Sequence, residues 1–278
     1  MKTIQKLVLI SLTIFFLNSC SDDDSNEVTK TLVKTFNVAL SAQFSVPANA
    51  ARNETGTAVL NLYDDNSLEY NITVDGLSSS DALTAAHIHT GDLVSTGGIL
   101  IGLAGGDNAS FSGSTVSDTI ILNAEQVASL NGSDIYVNVH SNEIGSGLVR
   151  GQVDKIIDFA VDVNMSTANA VPAVTGRNET GITYIRLDSE GNMYYKISIN
   201  DLDATDSLTA SHIHQATAGN TGGVLVLLVD GANAATDYGV SKSLALTNDQ
   251  KTILLNDALY VNTHSVQNAP GLLRGQIR

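Results

Sequence analysis

Cysteine is nearly absent from this chain: Cys20 is the only one in 278 residues. No intramolecular disulfide can form in any compartment, and no two-cysteine redox pair exists. Positive charge is also scarce, with 14 Lys and Arg against 29 Asp and Glu, for a formal net charge of −15. Such a surface repels nucleic acid and anionic lipid and attracts cations, which excludes nucleic acid as a partner. Long apolar runs are missing too. The longest, from Leu7 to Leu17, would rise only about 16 Å as a helix, about half of a ~30 Å hydrocarbon core. Neither a nucleophile elbow nor a phosphate-binding glycine loop occurs. Hydrophobic residues nevertheless make up 43% of the chain, so the acidity belongs to the surface of a folded body.

The N-terminus has the parts of an export signal. Lys2 and Lys6 precede the apolar run, and the small polar step Asn18-Ser19 leads into Cys20. Residues 1–19 therefore read as a removable signal peptide. The Leu17-Asn18-Ser19-Cys20 ending resembles the lipobox of bacterial lipoproteins. That resemblance implies cleavage just before Cys20 and diacylation of its thiol, and two or more acyl chains give stable anchoring. Residues 20–33, beginning with Ser21 and three aspartates, read as an acidic tether. Acidic residues at this place are similar to the surface-export signal of some Gram-negative lipoproteins. The expected location is the cell envelope, lipid-anchored to a bacterial membrane, outer more than inner, facing periplasm or exterior. The membrane, through the anchor, and an envelope or extracellular protein are the expected partners.

Self-comparison divides the remainder into two copies. ARNETG at Ala51–Gly56 returns as GRNETG at Gly176–Gly181, and DALTAAHIH at Asp81–His89 as DSLTASHIH at Asp206–His214. IYVNVHS at Ile135–Ser141 returns as LYVNTHS at Leu259–Ser265, and GLVRGQV at Gly147–Val153 as GLLRGQI at Gly271–Ile277. A nearly constant offset across so many matches means duplication of a whole domain. The copies span 34–153 and 157–278. The few residues between them make close packing and a modest contact the expectation. Within each copy, short segments with period-2 alternation are bounded by Gly, Asn, Asp and Pro, which predicts strands. One short helix per copy is expected after Asn123 and Thr247, each an N-cap with Gln three residues later.

All six histidines fall in the repeated motifs. His87 and His89, like His212 and His214, are two apart on a predicted strand, so they share a face while Ile88 and Ile213 point inward. The same alternation puts Tyr136, Asn138 and His140 on one face, with His264 the counterpart of His140. If the two strands are neighbours, three imidazoles converge in each copy, with Asn138 and Arg150, or Asn262 and Arg274, supporting them. Three neutral imidazoles with one open position suit zinc or copper. Alternatively the histidines and arginines form a satisfied polar network that pins the strands. Both readings stay open on the sequence. Tyr70 and Tyr195 read as packing residues, and Asp201–Asp206 as a solvated turn lacking the Gly and Glu of a calcium loop.

The order His-Ile-His, a Gly-Gly strand, Tyr-Val-Asn-x-His and Gly-x-x-Arg-Gly-Gln resembles the CHRD domain, named for its occurrence in chordin. The resemblance covers both copies almost end to end and implies a β-rich extracellular domain, and it brings no established enzyme activity with it. A fainter similarity is to copper-zinc superoxide dismutases, which also run from a His-x-His strand to a later single His and then an Arg. That similarity implies His87, His89 and His140 as copper ligands beside Arg150, and His212, His214 and His264 beside Arg274. Neither copy has the fourth, bridging histidine or the zinc-binding loop. The fold expected is all-β: two tandem antiparallel β-sandwich domains of Greek-key type, superoxide-dismutase-like or immunoglobulin-like. The primary functional expectation is a non-enzymatic extracytoplasmic binding module. The alternatives are a copper- or zinc-binding protein with a three-histidine site per domain, and a weak redox enzyme.

Overall fold

Alternation of buried and exposed side chains runs through most of the strands. In β1 (Leu32–Ser41), Phe36, Val38 and Leu40 turn inward, and in β2 (Thr55–Tyr63) Ala58, Leu60 and Leu62 do the same. The first copy continues with β3 (Ser67–Asp75), β4 (Leu83–Thr90), β5 (Ile99–Ala104), β6 (Thr115–Ile121), α1 (Ala124–Leu130), β7 (Ile135–Ser141) and β8 (Val149–Gln152). The second comprises β9 (Ile157–Ser166), β10 (Thr180–Asp188), β11 (Asn192–Asn200), β12 (Leu208–Gln215), β13 (Val224–Val229), α2 (Ala234–Asp237), β14 (Lys242–Ala245), α3 (Asn248–Asn256), β15 (Leu259–Ser265) and β16 (Leu273–Gln276). This computed structural model describes residues 29–278, so the signal segment, Cys20 and most of the acidic tether lie outside the described residues. Among the described residues no helix is long and apolar enough to cross a membrane.

The architecture is all-β, with two tandem eight-stranded antiparallel sheets. The first runs β5-β4-β7-β8-β1-β2-β3-β6 and the second repeats that order as β13-β12-β15-β16-β9-β10-β11-β14. Each sheet is pinched in its middle. Strands β8 and β1 pair only at Arg150 and Ser41, and β16 and β9 only at Arg274 and Ser166. The two halves thus fold over one another as the layers of a sandwich around one core per copy. Tyr70 and Tyr195 are buried, as their alternation predicts. Their hydroxyls cross the core to the carbonyls of Leu103 and Leu228, tying β3 to β5 and β11 to β13.

The expected capping boxes form at Asn123–Gln126 and Thr247–Gln250 and start α1 and α3. The second copy adds the short helix α2, which sequence reading did not anticipate. The reason is local. After β5 the first copy has Gly105 and Gly106, both at positive φ, whereas after β13 the second has Asp230, which caps a turn, then Gly231 without a positive φ and an alanine-rich stretch.

The ARNETG and GRNETG motifs hold the ends of the sheets together. Arg52 pairs with Glu54 and Asp81, each at 2.7 Å, and with Glu143 at 2.6 Å. Arg177 pairs likewise with Glu179 and Asp206, and Gln267 takes the place of Glu143. This corrects one detail of the predicted turn at Asp201–Asp206. Asp203 does cap the turn, accepting from the Thr205 amide, but Asp206 leaves solvent and is buried against Arg177.

Candidate metal centre

Strand order decides which side chains meet. Strand β4 pairs with β7, setting His87 opposite Asn138 and His89 opposite Tyr136, and β7 pairs with β8, setting Asn138 opposite Arg150. The second copy reproduces this through His212 and Asn262, His214 and Tyr260, and Asn262 and Arg274. Ile88 and Ile213 are fully buried on the opposite face, so each histidine pair projects away from the core.

Three rings converge in each copy. One nitrogen from each of His87, His89 and His140 lies within 4.8 Å of the others, and His212, His214 and His264 match them. The His87 Nδ1 to His140 Nε2 distance is 3.1 Å, as is that from His212 Nδ1 to His264 Nε2. Nitrogens bound to one zinc at 2.0–2.1 Å stand about 3.3 Å apart in a tetrahedron, so the 3.1 Å pairs are near that spacing and the third nitrogen of each cluster lies within 4.8 Å of them.

Hydrogen bonds fix which nitrogens are free. His89 Nδ1 donates to the Gly97 carbonyl at 3.1 Å and His140 Nδ1 to the Gly145 carbonyl at 3.0 Å. Gly222 and Ala269 serve His214 and His264 in the same way. The Nε2 lone pair of His89 is therefore unengaged, whereas that of His140 accepts the His87 Nδ1 proton, which a bound cation would replace. His89 Nε2 and His214 Nε2 are both buried without a hydrogen-bond partner. The polar-network reading is right that rings donate to carbonyls. It leaves these two nitrogens without a function.

Behind the histidines stands a stack that the sequence reading did not identify. Tyr136 lies nearly parallel to His89, at a centroid distance of 5.2 Å and 9° between planes, and the Arg150 guanidinium sits 3.5 Å from its ring centre. Tyr260 repeats the arrangement with His214 at 4.9 Å and 8°, and with Arg274 at 3.5 Å. Because β7 separates β4 from β8, each tyrosine is the middle of the stack and holds its imidazole plane. The only sequence signal was the recurrence of Tyr beside Val-Asn in both copies.

The Gly-x-x-Arg-Gly-Gln motif can be read residue by residue. Gly147 and Gly271, at φ +127° and +146°, leave room for the amides of Asn138 and Asn262, where any Cβ would collide. Gly151 and Gly275 let β8 and β16 cross the backbone of β1 and β9. Arg150 donates to the carbonyls of Ser95 and Asp92, and Gln152 to that of Gly91. Asn138 donates to the Ser146 carbonyl and Asn262 to that of Pro270. Arg150 thus lies behind Tyr136, one ring removed from His89, and its charge is committed to backbone carbonyls and that ring. A cavity of about 240 Å³ opens at the first cluster, lined by Val46, Pro47, His89, Asn138 and His140 among others, and one of about 140 Å³ opens at the second.

Burial pushes the His87 imidazole down to about 4, and the neighbouring His140 and His89 rings add to this. His89, His212 and His214 are also lowered, chiefly by burial. These rings stay neutral in the folded chain while an unfolded chain takes up protons below about pH 6.5. Their contribution to stability in metal-free protein is therefore complete above that pH and lost progressively as pH falls below it, for His87 down to about 4. Urea unfolding should show a lower midpoint at pH 5 than at pH 7. An unchanged midpoint would mean that the neutral rings are not favoured by folding.

The model of the CHRD domain family matches residues 36–153 and again 161–277. No curated protein and no solved structure matches the chain. The two matches together cover most of the sequence and coincide with the two sheets. The chain belongs to the CHRD domain family and is a two-domain module of extracellular type.

Proposed function

We propose that each domain binds one zinc or copper ion through its three histidines, and that the chain is a metal-binding module held at a bacterial cell envelope. The observation that carries this reading is the pair of buried, unpartnered nitrogens, His89 Nε2 and His214 Nε2. Leaving such an atom unsatisfied costs about 1–3 kcal/mol, and the cost recurs at equivalent places in both copies. A cation among the three rings accepts these lone pairs and removes the penalty. Neutral imidazoles suit zinc and copper, and an acidic chain of net charge −15 concentrates cations around it. The cavity lined by His89 and His140, or by His214 and His264, would leave room beside such an ion for water or a small ligand.

The role is binding more than catalysis. The similarity to dismutases implies an arginine beside the histidines, but here the Arg150 guanidinium is held by two carbonyls and an aromatic face. Equilibrium dialysis of tag-free protein against zinc tests the proposal. Saturation at two ions per chain supports it, whereas no saturable binding would end it.

The anchor completes the reading. Cys20 follows an apolar run too short to span a bilayer and precedes an acidic tether, the arrangement of a lipidated N-terminus. Cys20→Ser should shift the protein from the membrane fraction to soluble or uncleaved precursor. A variant that stays with membranes through a carbonate wash would refute lipidation at this residue.

A further inference from the structure

The two histidine sites are near copies, but their surroundings are not. In the first domain one pocket wall is the segment Ser45–Asn49, and this segment is gripped by the second domain. Arg186 on β10 donates to the Ser45 carbonyl at 2.7 Å, and the Asp162 carboxylate on β9 accepts from the Ala48 amide at 2.7 Å. Arg186 and Asp162 also pair with each other at 2.8 Å, and Arg186 is fully buried. In the loop after β4, Ser241 donates to the Asp92 carboxylate, and Leu93 and Val94 are buried although they belong to neither core.

A hydrogen-bonded path leads from this grip to a histidine. Asn49 Nδ2 donates to the carbonyls of Gly147 and Leu148, each at 2.8 Å. Gly147 packs on Asn138, and the same loop carries the Gly145 carbonyl that orients His140. The second domain lacks this path. Val174 stands where the first has Asn49 and offers no side-chain donor, and Ala218 and Gly219 are exposed where the first buries Leu93 and Val94. The residues of the first domain that match Asp162 and Arg186 are Asn37 and Asn61, so the grip runs one way.

We infer that Arg186 and Asp162 are positioning residues for the histidine site of the other domain, making the first site the tighter of two unequal metal sites. The inference rests on the metal reading proposed above. Groups that orient a ligand typically change metal affinity about 10–100-fold. Zinc titration of the full chain should therefore resolve two steps at least about tenfold apart. The tight step should survive His214→Gln and vanish with His89→Gln.

Asp162→Asn with Arg186→Asn installs the pair that the first domain carries at the same positions, and Asn49→Val installs the residue of the second. Each should bring the two steps together by weakening the first site alone. Amide exchange on metal-free protein reads the path separately: both variants should speed exchange in residues 145–148, far in sequence from the substitutions. Equal steps in the unaltered chain, a tight step belonging to the second domain, or unchanged exchange and affinities in both variants would overturn the inference. A flat titration of the unaltered chain would instead overturn the metal reading itself.

Discussion

A chain carrying both His89→Gln and His214→Gln should bind zinc at least about a hundredfold more weakly than the unaltered chain, since each site loses a ligand and not merely an orienting group. Glutamine fills similar volume, and its amide can still donate to the Gly97 and Gly222 carbonyls that the imidazoles now use. The thermal midpoint of metal-free protein should therefore move little, which separates loss of the site from loss of the fold. His89→Gln alone should halve the stoichiometry. Competition against a chelator of known affinity measures both, and persistent two-ion binding in the double variant would place the metal elsewhere.

The largest effect on stability is expected at Arg52. Arg52→Met should destabilise the first domain by about 3 kcal/mol, the low end for breaking a buried ion pair because Arg52 and Glu143 keep some solvent contact. The Asp81 side chain is 0% exposed and Glu54 only 6%, so removal of the guanidinium strands two carboxylates away from water. Both carboxyls are held below their ordinary range: Arg52 is the main cause for Glu54, while for Asp81 burial pushes upward and is outweighed by hydrogen bonds from Ser141, the Glu143 amide and Arg52. In the variant that support disappears and protonation relieves the strain. The deficit should therefore shrink as pH falls from 7 toward 5. Urea unfolding at both pH values checks this, and a deficit under about 1 kcal/mol at pH 7 would mean the cluster contributes little beyond a surface pair.

Much of this molecule was legible in the sequence because the signals are local. Period-2 alternation marked the strands, and repetition marked the two domains. His-Ile-His on one strand and Tyr-Val-Asn-x-His on another needed only adjacent pairing to bring three rings together, as β4 and β7 do. What stayed hidden depends on partners far along the chain. The Gly97 and Gly145 carbonyls that select the free nitrogens belong to loops whose path no pattern announces. The repeated Arg-Asn-Glu motif was conspicuous, yet its role needed Asp81 and Asp206 to arrive from a distant turn. The interdomain grip lies where the copies differ, Asp162 and Arg186 replacing two asparagines. A charge pair present in one repeat alone is the signal that could have located it.

X-ray absorption at the zinc edge of fully loaded, tag-free protein tests the central claim most directly. Two sites, each built on three imidazoles, should give about three nitrogen neighbours at 2.0–2.1 Å, one further light ligand, and the outer-shell scattering of histidine rings. A first shell of oxygen alone, without ring scattering, would contradict the account and place the ions on the acidic surface instead.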